Sequence, residues 1–167
     1  MARTGPDGAL WVVDMYRYMI EHPQWLPAGG KAEMKPFERS GMEYGRIYRV
    51  YKDGKPPRRI PRLDKSSAKE LVTHLGDSNG IIRDMAHRLL VQRKDVSATE
   101  ALVKMAGTHA SAKARLHTLC ALDGLDRLRK PLLKSAFRDP HPEIRRHALR
   151  LAESRWDEHP DLLKASV

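Results

Sequence analysis

At 167 residues the chain is long enough for one domain, or for a small domain with an appendage. An apolar fraction of 41% allows a real core, while only 6% aromatics with plentiful Leu and Ala suits packed helices better than a sandwich or barrel. No window approaches 18 consecutive apolar residues, which excludes a membrane-spanning helix, and the single Cys120 excludes an internal disulfide, a Cys-rich zinc site and a covalently attached c-type haem.

The opening MARTGPDGAL has neither a basic n-region nor a long apolar h-region, so no signal peptide is read there. Pro6-Asp7-Gly8 is a turn signal, and Ala9 to Val13 is a short apolar run of strand formers that Asp14 ends. Residues 15–25, MYRYMIEHPQW, read as one or two helical turns stopped by Pro23, and Gly29-Gly30 reads as loop without phosphate-binding spacing. Arg46 to Tyr51 (RIYRVY) is a second strand, after which Pro56, Pro57 and Pro61 prevent further pairing. Two strands with one apolar face are marginal alone, so they read as part of a larger sheet.

The net charge is +10, of which residues 1–64 supply +4 and residues 65–167 supply +6. Its densest stretch is GRIYRVYKDGKPPRRIPR, where Arg46, Arg49, Lys52, Lys55, Arg58, Arg59 and Arg62 face only Asp53. Such a run is the electrostatic footprint of polyanion binding, and equally the composition of a solvated linker. The prolines, and the lack of interleaved aromatics within residues 52–62, favour a basic linker over residues 52–65.

From residue 66 the sequence repeats. In DSNGIIRDMAHRLL (77–90), HASAKARLHTLCAL (109–122) and DPHPEIRRHALRLA (139–152), Arg83, Arg115 and Arg145 fall in register, 32 and 30 residues apart. Small and apolar residues at offsets −1, +3, +6 and +7 from each arginine mark one helix face. Leu71, Leu102 and Leu133 mark a preceding helix in each repeat. The expected helices are 66–76, 80–93, 97–107, 110–123, 127–137 and 141–155, with EHPDLLKASV beginning a seventh. A mainly α fold follows: three helix pairs, none able to bury its apolar face alone, stacked as a solenoid.

Asp77 with Ile82-Arg83 and Ala86, and Asp139-Pro140 with Ile144-Arg145 and Ala148, resemble HEAT repeats of the short kind. The second repeat departs from that signature, with His109 in place of the acid and Ala114 in place of the branched residue. In the signature the Asp can cap the second helix, the Pro suits its first turn, and the Arg can reach the acid or carbonyls of the neighbouring repeat. Asp77, Arg83, Arg115, Asp139 and Arg145 are therefore expected to be structural.

GPDGALWVVDMYRYMIEHPQWLP, then YGRIYRV, then the basic proline-rich link into these repeats resembles the membrane-bound dehydrogenases of the planctomycete and verrucomicrobial type. That resemblance implies a six-bladed β-propeller, similar to soluble quinoprotein sugar dehydrogenases, followed by HEAT repeats and a c-type cytochrome domain. Residues 1–51 would then be the remnant of the last blade, 52–65 the linker and 66–167 the HEAT-like repeats. Quinone and c-type haem would belong to the complete parent protein and not to this chain. The neighbouring propeller and cytochrome domains, or a protein partner, would be what it touches, in the periplasm or cell envelope.

Among polar residues, Asp14, Tyr16, Arg17 and His22 cluster beside a strand end, where a propeller opens onto its pocket, so they would line that pocket in the parent. The plainer reading is that Asp14 caps the next turn and Tyr16 packs against it. His117 and His147 share a repeat position, and solvated surface histidines are expected there, without a metal. Cys120 is aligned with Arg88 and Arg150 on a rim-like face and has no base to make it a nucleophile. No catalytic residue is identified. The leading functional expectation is a non-catalytic spacer in a quinoprotein-like dehydrogenase; the alternative is a free-standing basic HEAT protein binding nucleic acid or a protein partner.

Overall fold

The structure is a computed structural model that describes residues 1–20, 23–155 and 161, so most of the expected seventh helix lies outside the described residues. It is mainly helical with a small antiparallel sheet, and it divides into two compact units, residues 1–60 and 61–167.

The first unit is built on three strands, β1 (Ala2–Thr4), β2 (Leu10–Asp14) and β3 (Arg46–Val50), in the order β1-β2-β3. Leu10 lies opposite Val50, Val12 opposite Tyr48 and Asp14 opposite Arg46. β1 adds a strand to the two expected. Its sequence, ART, carries no apolar alternation; it pairs because the turn at residues 5–8 folds it back, with the Gly5 N–H donating to the Ala9 carbonyl at 2.7 Å.

Two further expectations need correcting. Residues 15–20 are not helical, and among the described residues of that stretch Pro23–Trp25 makes a 3-10 turn. The Asp14 carboxylate accepts from the Tyr16 N–H at 3.0 Å, and Tyr16 takes φ +48°, a left-handed step that a right-handed helix cannot absorb. Gly29 and Gly30, expected in a loop, lie instead in α1 (Ala28–Met34). Pro27 precedes the helix, and Lys31, Ala32, Glu33 and Met34 are strong helix formers that outweigh roughly 1 kcal/mol per glycine.

The second unit contains α2 (Ala68–His74), α3 (Gly80–Gln92), α4 (Thr99–Thr108), α5 (Ala112–Gly124), α6 (Lys130–Ala136) and α7 (Pro142–Glu153). All six fall within three residues of the expected ends. α2, α4 and α6 form one layer and α3, α5 and α7 a second, each helix packing on its hairpin partner and on its layer neighbours.

The core is the seam between the layers. Leu71, Leu75, Ile82, Leu90, Leu102, Leu122, Leu133 and Ile144 are each no more than 1% exposed. Burying one such side chain stabilises the fold by about 1.5–3 kcal/mol before chain entropy is counted. Thr118 occupies a core position filled by Ala86 and Ala148 in the other repeats, and its hydroxyl is satisfied by donating to the Ala114 carbonyl at 2.7 Å.

The helix ends have local causes. Ser67 and Glu70 form a capping box on α2, and the Ser67 amide nitrogen lies 2.7 Å from Glu70 Oε2. Lys94 and Asp126, at φ +50° and +55°, close α3 and α5 in the left-handed conformation more often given to glycine. The unit begins at Pro61, inside the stretch expected as linker. Leu63 is buried in the core, and Arg93 holds the turn by donating to the carbonyls of Leu63, Asp64 and Ser66.

Candidate functional site

Three of the four residues expected to line a pocket are described, and His22 lies outside the described residues. Asp14 ends β2, holds the Tyr16 N–H with one carboxylate oxygen and meets Arg46 at 3.4 Å with the other. The Arg46 guanidinium sits 4.6 Å from the centre of the Tyr16 ring, and Tyr44 meets that ring edge-on at 5.6 Å. Asp14 is therefore occupied by its own turn and by β3. Tyr16 and Arg17, in contrast, line an open cleft of about 330 Å³ with Tyr18, Ser40, Gly41 and Tyr44. Gly41 is required there: at φ +81° its Cα lies against the Tyr16 carbonyl oxygen, where any Cβ would collide.

The most connected carboxylate of this unit reads in the sequence only as a turn residue. Asp7 is 2% exposed; one of its oxygens accepts from the Ala9 N–H at 3.1 Å and from the Trp11 indole N–H at 3.0 Å, and the other pairs with Arg49. Its carbonyl accepts from the Arg58 N–H at 3.2 Å, which ties the chain after β3 to the first turn. Burial opposes the charge, yet the Ala9 amide, Arg49 and Trp11 together hold the carboxyl below the usual range. Part of the signal is present in the sequence, an Asp in a Gly-Pro-Asp-Gly turn four residues before a Trp; the fold adds Arg49, which lies opposite that Trp on β3 as Arg3 does on β1. Asp7 organises the sheet.

The repeat-signature residues form one recurring device. Arg83, Arg115 and Arg145 each use Nη1 to donate to the carbonyls six and five residues earlier, at 2.7 and 2.9, 2.7 and 3.0, and 2.9 and 3.1 Å. The grip is on the arginine's own turn. Among the described residues the neighbouring acid is reached once, where Arg115 makes a two-pronged pair with Asp139 at 2.8 and 2.7 Å, both side chains about nine-tenths buried. Burial raises the Asp139 carboxyl, but Arg115 and the His141 amide outweigh it and leave the group below the ordinary range.

Asp77 and Asp139 do not cap the second helices. The caps are Asn79, Ser111 and His141, and the proline of the third helix's first turn is Pro142, not Pro140. The acids act one step back, accepting the N–H of the cap residue at 2.7 Å (Asn79) and 2.8 Å (His141). In the second repeat His109 Nδ1 accepts the Ser111 N–H at 3.1 Å, so the histidine replaces that duty of the acid. It does not replace the other: Arg83 Nε is buried without a hydrogen-bond partner among the described residues.

Among the other candidates, His117 is not a solvated surface group. Its side chain is 19% exposed, stands edge-on to His87 at 5.8 Å and lies 3.7 Å from Asp84. Burial, then His87, lowers the His117 pKa, and burial lowers that of His87. Cys120 is half-buried with Arg150 4.0 Å away, and burial pushes the thiol up, away from a nucleophile's range. Among the described residues no group of three or more His, Cys, Asp or Glu side chains is placed to hold a metal ion, and no helix is long and apolar enough to cross a membrane. In the basic stretch Arg46, Arg49 and Arg62 are paired with Asp14, Asp7 and Asp64.

A family model described as a domain of unknown function (DUF7133) matches residues 1–54, a span that holds the whole three-stranded sheet and the tyrosine-lined cleft. No curated protein and no solved structure matches the chain.

Proposed function

We propose that this chain is a junction segment: the last-blade remnant of a β-propeller followed by a HEAT-like α-solenoid of three helix pairs, serving as a non-catalytic spacer in a quinoprotein-like dehydrogenase. The observation that carries the reading is β3. All five of its residues are exposed, although β2 pairs with it along its whole length. Leu10, Val13, Ile47, Tyr48 and Val50 remain more than 40% exposed on the two faces of the sheet. An apolar sheet open on both faces and at an edge is one that expects neighbouring strands and a covering layer. The recurring arginine grip and the two-layer helix order support a repeat unit made for rigidity. As a spacer it would keep a dehydrogenase domain and its electron acceptor apart.

Residues 1–60 and 61–167 prepared separately provide the test, read by circular dichroism through a urea titration. The helical piece is expected to unfold in one sharp transition, and the isolated sheet piece to show no cooperative transition at all. A cooperatively folded 1–60 overturns the blade-remnant reading. In the same preparation, DNA binding that falls steeply with salt would replace the spacer by the nucleic-acid alternative.

A further inference from the structure

β3 ends the sheet, and among the described residues no strand pairs with its outer side. The ladder settles which of its main-chain groups face that way. Met1 and Val13 exchange hydrogen bonds at 3.3 and 2.8 Å, and the Gly5 N–H donates to the Ala9 carbonyl, so the odd-numbered residues of β2 bond to β1. The even ones, Leu10, Val12 and Asp14, then bond to Val50, Tyr48 and Arg46, because hydrogen-bonded positions alternate along an antiparallel strand. Ile47 and Arg49 are left with their N–H and C=O groups directed away from β2. Natural edges are commonly blunted by proline, lysine or unmatched charge, and RIYRV has no proline and no lysine. Its two charges are matched within the unit, Arg46 by Asp14 at 3.4 Å and Arg49 by the buried Asp7.

Such an edge can pair with its own copy in few registers. Outward groups must meet outward groups, so a two-fold axis between antiparallel β3 strands passes through a residue and not between two. Centred on Ile47 or Arg49, the strands would overlap only at 46–48 or 48–50, and the second choice sets Arg49 opposite Arg49, a destabilising like-charge pair. Centred on Tyr48, the whole strand is paired. Ile47 then exchanges hydrogen bonds with Arg49 of the second copy, and Val50 lies along the aliphatic stem of Arg46. Tyr48, 44% exposed, meets its own counterpart at a position without hydrogen bonds, where side chains come closest. Exposed Leu10 and Val50 continue that face of the sheet, and exposed Val13 and Ile47 the other.

We infer that the outer edge of β3 is a self-association surface, which joins two copies of this chain by antiparallel β3–β3 pairing about a two-fold axis at Tyr48. The product is one continuous sheet with three strands from each copy. The contact uses the same patch on both copies, so assembly closes at two. Head-to-tail pairing of β3 with β1 would instead grow an open ribbon, and the ART of β1 has no large apolar side chain to offer it. The dimer stands on residues 1–50 and holds whether or not the chain is a junction segment.

Sedimentation equilibrium of the full chain tests it, with near-ultraviolet circular dichroism to verify the fold of each variant. The wild type is expected to show a monomer–dimer equilibrium in the micromolar range. Tyr48→Lys sets two ammonium groups opposite each other, and Ile47→Pro removes an outward N–H but none of the bonds between β2 and β3. Each should weaken the dimer by about tenfold or more. With the single native cysteine replaced, Cys120→Ser, added Tyr48→Cys should cross-link two chains under mild oxidation, because opposed Cα atoms at about 4.5 Å suit a disulfide. Val50→Cys in the same background should not. A wild type that stays monomeric throughout the micromolar range overturns the proposal, as does a dimer untouched by Tyr48→Lys, or assembly that continues beyond two copies. Cross-linking of Val50→Cys as fast as Tyr48→Cys overturns the register.

Discussion

The two units hold themselves together in opposite ways. Residues 61–167 bury a continuous aliphatic seam, whereas the sheet unit buries only Ala9 and Met19 among its described apolar side chains and centres on the carboxylate of Asp7. The seam is non-directional and tolerant of exchange, while the Asp7 network depends on a few atoms meeting their partners at set angles. A small sheet without a core can thus be specified by polar geometry, but it gains little net stability from it.

The largest effect should come from cutting the seam. Leu102→Ala, at a position with no exposure, is expected to cost about 2–5 kcal/mol of helical-unit stability read by urea unfolding, and Leu10→Ala on the open sheet to leave that transition within about 0.5 kcal/mol of the wild type. If the two cost the same, the contrast between the units fails. Asp7→Asn comes next, at about 1–3 kcal/mol, and should be seen in the Trp11 near-ultraviolet signal while the helical transition stays put.

Within the helical unit the contrast can be inverted. Asp139→His should lose about 1.5–3 kcal/mol by ending the paired grip of Arg115, and His109→Asp should gain about 0.5–1.5 kcal/mol by offering Arg83 Nε the partner that Asp139 offers Arg115. No gain from His109→Asp would mean that the joint between the first two repeats is closed differently. The smallest effect is in pH. His87 and His117 have pKa values lowered by burial, so the fold prefers them neutral and the unfolded chain binds more protons. Stability from this pair is present above about pH 6.5 and lost as pH falls below it, and His117→Gln should flatten that slope. Asp7 and Asp139, with lowered carboxyl pKa values, contribute above about pH 4 and lose their contribution further into acid.

Much of the helical unit was legible because each buried position repeats. Ile82, Ala86 and Leu90, and again Ile144, Ala148, Leu151 and Ala152, lie where a 3.6-residue period puts a single face. What escaped was set by geometry that periodicity does not encode. β1 is a strand because of the turn that follows it, and Tyr16 leaves the helical region because a side chain two residues earlier captures its amide. The candidate cleft was half legible. Tyr16 and Arg17 stand out from their place at a strand end, but Tyr18 joins them only through the fold, as do Ser40, Gly41 and Tyr44 from the far side of α1.

The arginine that reaches back over its own turn has one more consequence. DSNG, HASA and DPHP have little in common, yet each is clasped through main-chain oxygens alone, which every residue supplies. The clasp is indifferent to the letters it holds. Exchange of the second residue of each tetrapeptide, Ser78, Ala110 or Pro140, should therefore be nearly silent, while the third, Asn79, Ser111 or His141, stays limited to side chains that can cap the helix.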